Sequence, residues 1–373
     1  MCSGFGTVAI WGVGLIGGSI GMALRQRGLA GEVIGIGRAA AGGDAARAPG
    51  AGAPWATGAG AAGATSAGAA WSTGAGVVGV AGCGLAAAGA VAVDAARAGA
   101  AQAGTPGDAA AGIPEAVRLG AVDRMVADPA AALARADLVI LAMPVQAMID
   151  LAPHAAPLLR PGTIVTDVAS VKAAVVAAWE AHLPDGVAFV GGHPMFGRER
   201  SGVAAASADL IPGCRWVLTP GERAGAPRGA QPVQTALERV RDLVVALGAE
   251  PVVMTPEEHD RRAAGASHLP QLVATALAAA ALRLDEAQPG TLALAAGGFR
   301  DTTRIADSPA ALWHEIWANN RPALEEAVAA FRGALADLEA AIAAGDAEAL
   351  ARLFDQAHAA RRRAMGSMGG GCR

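Results

Sequence analysis

Outside residues 41–112, the pattern of apolar positions changes character once along the chain, at Pro256. Before it, short runs rich in Val, Ile and Leu alternate with stretches in which apolar residues recur at three- and four-residue spacing. Runs at 8–10, 32–38, 123–126, 137–142, 162–167, 189–192, 215–218 and 250–254 read as strands. Intervening stretches at 113–119, 130–135, 145–159 and 233–247 read as helices, as does the spacing of Ile16, Ile20, Ala23 and Leu24 before Gly28. Strand alternating with helix implies a doubly wound, largely parallel sheet. After Pro256 the runs 257–284, 291–296, 310–319, 322–344 and 346–365 all carry the helical period. The expected organisation is an α/β domain over 1–255, a helical domain over 256–365 and a Gly-rich tail over 366–373.

The first strand passes without a break into Gly12-Val13-Gly14-Leu15-Ile16-Gly17 and then into helical spacing. In this order the pattern is a dinucleotide fingerprint. Gly12 permits the tight turn, Gly14 lets backbone approach a pyrophosphate, Gly17 lets helix and strand pack closely, and Leu15 and Ile16 open the helix whose N-terminus faces the phosphates. The α/β half therefore reads as a Rossmann-like fold. Its second strand ends in Gly37-Arg38, where an NAD site would carry a carboxylate for the ribose hydroxyls. A guanidinium with room beside it suits a 2′-phosphate, so NADP is favoured over NAD. Met143-Pro144 and Asp167 end two further strands, at the carboxyl edge where open α/β sheets bind ligands.

Composition narrows the function classes. The chain has 373 residues and a net charge of −4, and no basic stripe interleaved with aromatics, which argues against nucleic acid. Cys2, Cys83, Cys214 and Cys372 make no C-x-x-C pair, and the histidines have no ligand spacing, so neither a disulfide framework nor a metal site is expected. A reducing cytoplasm fits, and the N-terminus lacks the basic-then-apolar pattern of a secretion signal. Residues 41–112 form a low-complexity insertion with no charged side chain between Arg47 and Asp94. Its uncharged stretch 75–93 is too rich in Gly and Ala for a convincing membrane span. It reads as a surface excursion, with Trp55 and Trp71 as anchors.

Polar residues gather in 167–172 (Asp-Val-Ala-Ser-Val-Lys), 191–199 (Gly-Gly-His-Pro-Met-Phe-Gly-Arg-Glu), 267–271 (Ser-His-Leu-Pro-Gln) and 297–304 (Gly-Gly-Phe-Arg-Asp-Thr-Thr-Arg). With the glycine motif, and in this order, these strings resemble the prephenate/arogenate dehydrogenase family of tyrosine biosynthesis. The resemblance runs from Val8 to about Arg363, leaving out the insertion. It implies oxidative decarboxylation: hydride leaves the ring carbon bearing the hydroxyl for a nicotinamide, and loss of the ring carboxylate as carbon dioxide aromatises the ring. By the same resemblance His193 draws off the hydroxyl proton, a role that suits imidazole. Ser170 contacts the same hydroxyl, although a helix N-cap also explains it.

The resemblance further implies that Arg304 binds a substrate carboxylate, with Arg300 and Gly297 nearby, and that Glu199 and Trp313 lie at the pocket. His268 matches the first histidine of the family's HLPH motif, whereas Gln271 stands in place of the second. That departure leaves the choice between prephenate, a keto acid, and arogenate, an amino acid, open. The resemblance also implies a homodimer formed through the helical domains. After Met365 only the tail remains, so no appended regulatory domain is expected. A 3-hydroxy-acid dehydrogenase would need a lysine in the helical half, and there is none from Pro256 onward. A non-catalytic NADP-binding scaffold would not need His193, Ser170 and Arg304 together.

Overall fold

The computed structural model describes residues 4–37, 114–197, 201–221 and 233–367. The insertion, Arg38, Glu199 and the end of the tail lie outside them. In chain order the elements begin β1 (Phe5–Trp11), α1 (Leu15–Gln26), β2 (Ala30–Ile36), α2 (Glu115–Arg118), β3 (Arg124–Val126) and α3 (Ala130–Leu133). They continue with β4 (Leu138–Leu141), α4 (Val145–Ala155), β5 (Ile164–Asp167), α5 (Ala173–Glu180), β6 (Ala188–Pro194), β7 (Arg215–Pro220), α6 (Val233–Ala246) and β8 (Glu250–Val253). From there to the last described residue the regular structure is helical: α7 (Pro256–Ala263), α8 (Leu269–Ala287), α9 (Gly297–Thr303), α10 (Ala310–Asn319), α11 (Arg321–Ala344) and α12 (Ala347–Ser367).

Among the described residues the strands form one sheet in the order β3-β2-β1-β4-β5-β6-β7-β8. The winding reverses between β1 and β4, which makes that crevice the topological switch point. β1, β2, β4, β5 and β6 run parallel, in registers such as Val8↔Val33 and Val8↔Leu138. Alternation along β1 sends Val8 and Ile10 to one face and Ala9 to the other. The first face is closed by Ile20 and Leu24 of α1 and Val240 and Leu243 of α6. The second is closed by Met148 of α4 and Val175, Val176 and Trp179 of α5. Trp179 is fully buried, donates from Nε1 to the Met148 carbonyl (3.0 Å) and stacks on Phe189 at 5.9 Å.

Four elements differ from the sequence expectation. β7 runs antiparallel to β6, with Gly192 opposite Leu218, because the described part of the connection holds only two short 3-10 turns and no crossover helix. α5 starts at Ala173, later than an N-cap at Ser170 implies, and its Ala-rich sequence buries Val175, Val176 and Trp179. The expected helix at 291–296 is a single 3-10 turn, Leu292–Leu294, and the helix proper is α9. The long helix expected at 257–284 is broken by a π-turn, Ala264–His268, between α7 and α8. Such turns recur at functional sites because they re-aim side chains.

Candidate active site

The carboxyl ends of β1, β4, β5 and β6 share one edge of the sheet, and each contributes to the site. At β1, Gly12 holds φ +99° and its amide donates to the Ile36 carbonyl (3.2 Å). A Cβ there would run into the Ala142 carbonyl at the end of β4, and one on Gly17 would strike the Gly12 carbonyl. Only glycine lets the two strand ends approach this closely. A Cβ on Gly14, by contrast, would meet nothing within 4 Å. Among the described residues, the first turn of α1 has neither an acidic residue nor a side-chain cap to take up its amides. The arrangement fits a pyrophosphate. Met143 and Pro144 follow β4 at the same edge, with Pro144 capping α4.

Beyond β5 the edge is polar and dry. Asp167, expected to face the cofactor, is instead fully buried. Its carboxylate is taken up by the Lys172 ammonium and by the amides of Ala169 (3.0 Å) and Gly192 (2.9 Å). Lys172, the only lysine in the chain, is equally buried and also donates to the Gly192 carbonyl (2.7 Å). Burial pulls its pKa down, and the Asp167 charge opposes that fall. The pair ties the end of β5 to the end of β6. It thereby fixes the backbone one residue before His193.

His193, 8% exposed, carries its Nδ1 2.8 Å from Nε2 of His259, the rings meeting edge to face. Burial lowers its pKa well below 6.5, and the charges of His259, Lys172 and His268 lower it further. The imidazole is therefore neutral at physiological pH, as a proton acceptor must be. His259 lies on α7, whose Thr255 cap accepts from the Glu258 amide (3.1 Å), and its Nδ1 contacts Asp260 Oδ1 (2.7 Å). Asp260 also accepts from the amides of Lys172 (2.7 Å) and Ala173 (2.9 Å). The N-terminus of α5 is thus capped from another element, and the N-cap reading of Ser170 does not hold, because the cap residue is Lys172.

The helical part supplies the remaining wall. Asn320, between α10 and α11, donates to the Asp260 carbonyl (2.8 Å) and to Nδ1 of His268 (3.1 Å). His268 is fully buried and its pKa falls to about 4. Burial is the main cause, His259 adds to the fall, and Asp260 and the Ser170 backbone oppose it. The ring meets Trp313 edge to face at 6.0 Å, and Trp313 packs in turn on Trp317. Among the described residues the buried Nε1 atoms of both tryptophans have no hydrogen-bond partner. Gln271 is buried on α8 and reaches Thr275 at 3.5 Å. On α9 and just after it, Arg300 and Arg304 are exposed, Arg300 bonding Asp301 at 3.1 Å, and Gly297 opens that helix.

His193, Lys172, His268 and Trp313 thus join in one connected neighbourhood that Ser170 reaches through its backbone at His268, whereas Arg300 and Arg304 are exposed on and just after α9. Sequence reasoning passed over His259 and Asp260, which have no metal spacing and sit in an ordinary-looking amphipathic turn. Their signal was an adjacent His-Asp pair at a helix start. Among the described residues no cluster of His, Cys, Asp or Glu could hold a metal ion.

Comparison with known proteins agrees with this layout. Residues 107–253, a stretch that starts after the turn at 12–17, match the family model for the prephenate dehydrogenase nucleotide-binding domain, and residues 255–356 match the prephenate dehydrogenase dimerization domain. A prephenate dehydrogenase of Bacillus subtilis is 34% identical over 65% of this chain and 63% of its own length. A cyclohexadienyl dehydrogenase of Zymomonas mobilis is 33% identical over 66% of the chain and 80% of its own. The chain therefore spans somewhat under two thirds of the Bacillus relative. Among solved structures, prephenate dehydrogenase from Aquifex aeolicus in complex with hydroxyphenyl propionate and NAD+ has 25% identity and a TM-score of 0.68, covering 96% of this chain and 98% of that one. Synechocystis arogenate dehydrogenase has 25% identity and a TM-score of 0.64, covering 96% and 99%.

Proposed function

The chain belongs to the prephenate/arogenate dehydrogenase family, and from that premise we propose that it oxidatively decarboxylates prephenate to 4-hydroxyphenylpyruvate with NADP+ as hydride acceptor. The observation that carries the reading is His193: a buried, neutral imidazole at the carboxyl end of β6. It stands three strand spacings, about 14 Å, from the open glycine turn of β1. An extended nucleotide and a six-membered ring together bridge such a distance. The bound nicotinamide supplies the hydride acceptor, and the chain's residues do the rest.

The ring hydroxyl gives its proton to Nε2 of His193 as the carbinol hydrogen leaves with its electron pair, so a ketone forms. As the ring carboxylate leaves as carbon dioxide, the pair of the broken C–C bond stays with the ring, aromatises it and pushes charge onto the carbonyl oxygen. His193 then returns the proton to what becomes the phenol. The proton is borrowed, and the balance closes without another acid. Ser170 orients the hydroxyl, Arg304 with Arg300 holds carboxylate, and the dry wall of His268 and Trp313 excludes water. Gly12, Gly14 and Gly17, with Leu15, Ile16, Met143 and Pro144, would hold the dinucleotide, and Arg38 its 2′-phosphate.

A second reading, arogenate to tyrosine, draws on Gln271. Its amide oxygen accepts from an ammonium, which an imidazolium in that place would repel. The residues before Pro256 are read as the dinucleotide domain, and those after it as the substrate and dimerisation domain of a cytoplasmic homodimer. Leu277, Leu282 and Leu284 of α8 lie exposed in the single chain, and Ile342 and Phe354 of α11 and α12 do too, as an unformed subunit contact would leave them. The test is the initial rate of reduced-cofactor formation with prephenate and arogenate, each paired with NADP+ and NAD+. Turnover fastest with prephenate and NADP+ supports the proposal. Folded protein inactive with all four pairings sinks it.

A further inference from the structure

We propose that His259 and Asp260 are positioning residues that set the tautomer of His193, holding a proton on its Nδ1 so that the Nε2 lone pair faces the substrate. The inference rests on the reading of His193 as the base and goes beyond it by naming what makes His193 competent. Its ground is the direction each hydrogen bond in the buried chain must take. Asp260 already accepts from the amides of Lys172 and Ala173, and a carboxylate in that position can only accept. The 2.7 Å contact between Asp260 Oδ1 and His259 Nδ1 therefore has His259 as donor. When His259 holds a single ring proton, on Nδ1, its Nε2 is an acceptor. Across the 2.8 Å contact the donor is then His193 Nδ1, and the lone pair of His193 is left on Nε2.

The opposite orientation would place a proton on Nε2 of His193 and leave it unable to accept one. An isolated neutral imidazole has no strong preference that would exclude this, so something outside the ring must decide. Here the deciding group is anchored twice. Asp260 is pinned by the first amides of α5, and Asn320 holds its backbone carbonyl. None of Asp260, His259 and His193 is more than 8% exposed, so water does not compete for these bonds.

The test uses the full-length protein with prephenate and NADP+. 15N-detected NMR of the parent should find His193 protonated on Nδ1 and bare on Nε2; the reverse assignment overturns the proposal, and this arm needs no variant to fold. H259L, which offers no acceptor, should lose about 10²- to 10³-fold in kcat with KM and NADP+ affinity within threefold. H259Q, whose amide oxygen reaches the place of Nε2, should recover at least tenfold of that loss. H259L within twofold of the parent, or H259Q no better than H259L, contradicts the positioning role. H193N separates the two readings: if it is inactive while H259L is active, only the relay fails, whereas an active H193N removes the base itself.

Discussion

At the β1–α1 turn the chain makes room by leaving side chains out, whereas at the ends of β5 and β6 it fills the space with charged and polar side chains shut away from water. Gly12 and Gly17 are needed because backbone from β1, α1 and β4 crowds together, and Gly14 because nothing is there. Asp167, Lys172, His193, His259 and Asp260 are needed because each satisfies its neighbour, and His268 is held at Nδ1 by Asn320. The first construction is local and works through shape. The second draws on β5, β6, α7 and the π-turn, and works through charge and hydrogen-bond direction.

Substitutions should therefore fail in different ways at the two ends. The largest expected effect is at the filled end: K172M leaves the Asp167 carboxylate buried without its counter-charge and should cost about 3–5 kcal/mol in denaturant unfolding. A loss under 1 kcal/mol would mean that the pair is dispensable. At the open end, G12A combines φ +99° with a collision against the Ala142 carbonyl. It should cost about 1–3 kcal/mol and abolish NADP+ binding in a titration. G14A sharpens the contrast, because its methyl meets only space. It should leave stability within about 0.5 kcal/mol and still weaken NADP+ at least tenfold; unchanged affinity would place the pyrophosphate elsewhere.

The filled end should also give the fold a pH signature that the open end cannot. His268 titrates near 4 in the folded chain and His193 well below 6.5, against 6.5 for both when unfolded. As pH falls below 6.5 the unfolded chain takes up protons that the folded chain refuses, so stability drops between about 6.5 and 4. Thermal unfolding across that range should show the drop, and H268N should flatten it; an H268N curve parallel to the parent's contradicts the assignment. The smallest expected effect is R38S, about a tenfold loss of kcat/KM for NADP+ with NAD+ unchanged.

The same contrast explains what could be read from the chain alone. The glycine turn was legible because its requirements lie within six consecutive residues and each has a steric reason. The strands were legible because a buried parallel strand is apolar on both faces. The reversal of β7 was not, since strand direction depends on what the connection lacks. Asp167 was legible as a residue at the edge but not in its role, because its partner Lys172 turns the carboxylate inward. His259 and Asp260 were illegible as site residues, since their meaning depends on α7 being docked against β6 and α5. His193 and Ser170 came through resemblance, which supplied roles that spacing could not.

In the proposed reaction a neutral, buried His193 takes and returns the hydroxyl proton. The most direct measurement is single-turnover reduction of NADP+ by H193N beside the parent, with prephenate saturating and NADP+ affinity measured separately. The expected rate is about 10²- to 10⁴-fold lower, with NADP+ affinity unchanged. A rate within a factor of two of the parent, at equal occupancy, would show that another group moves the proton.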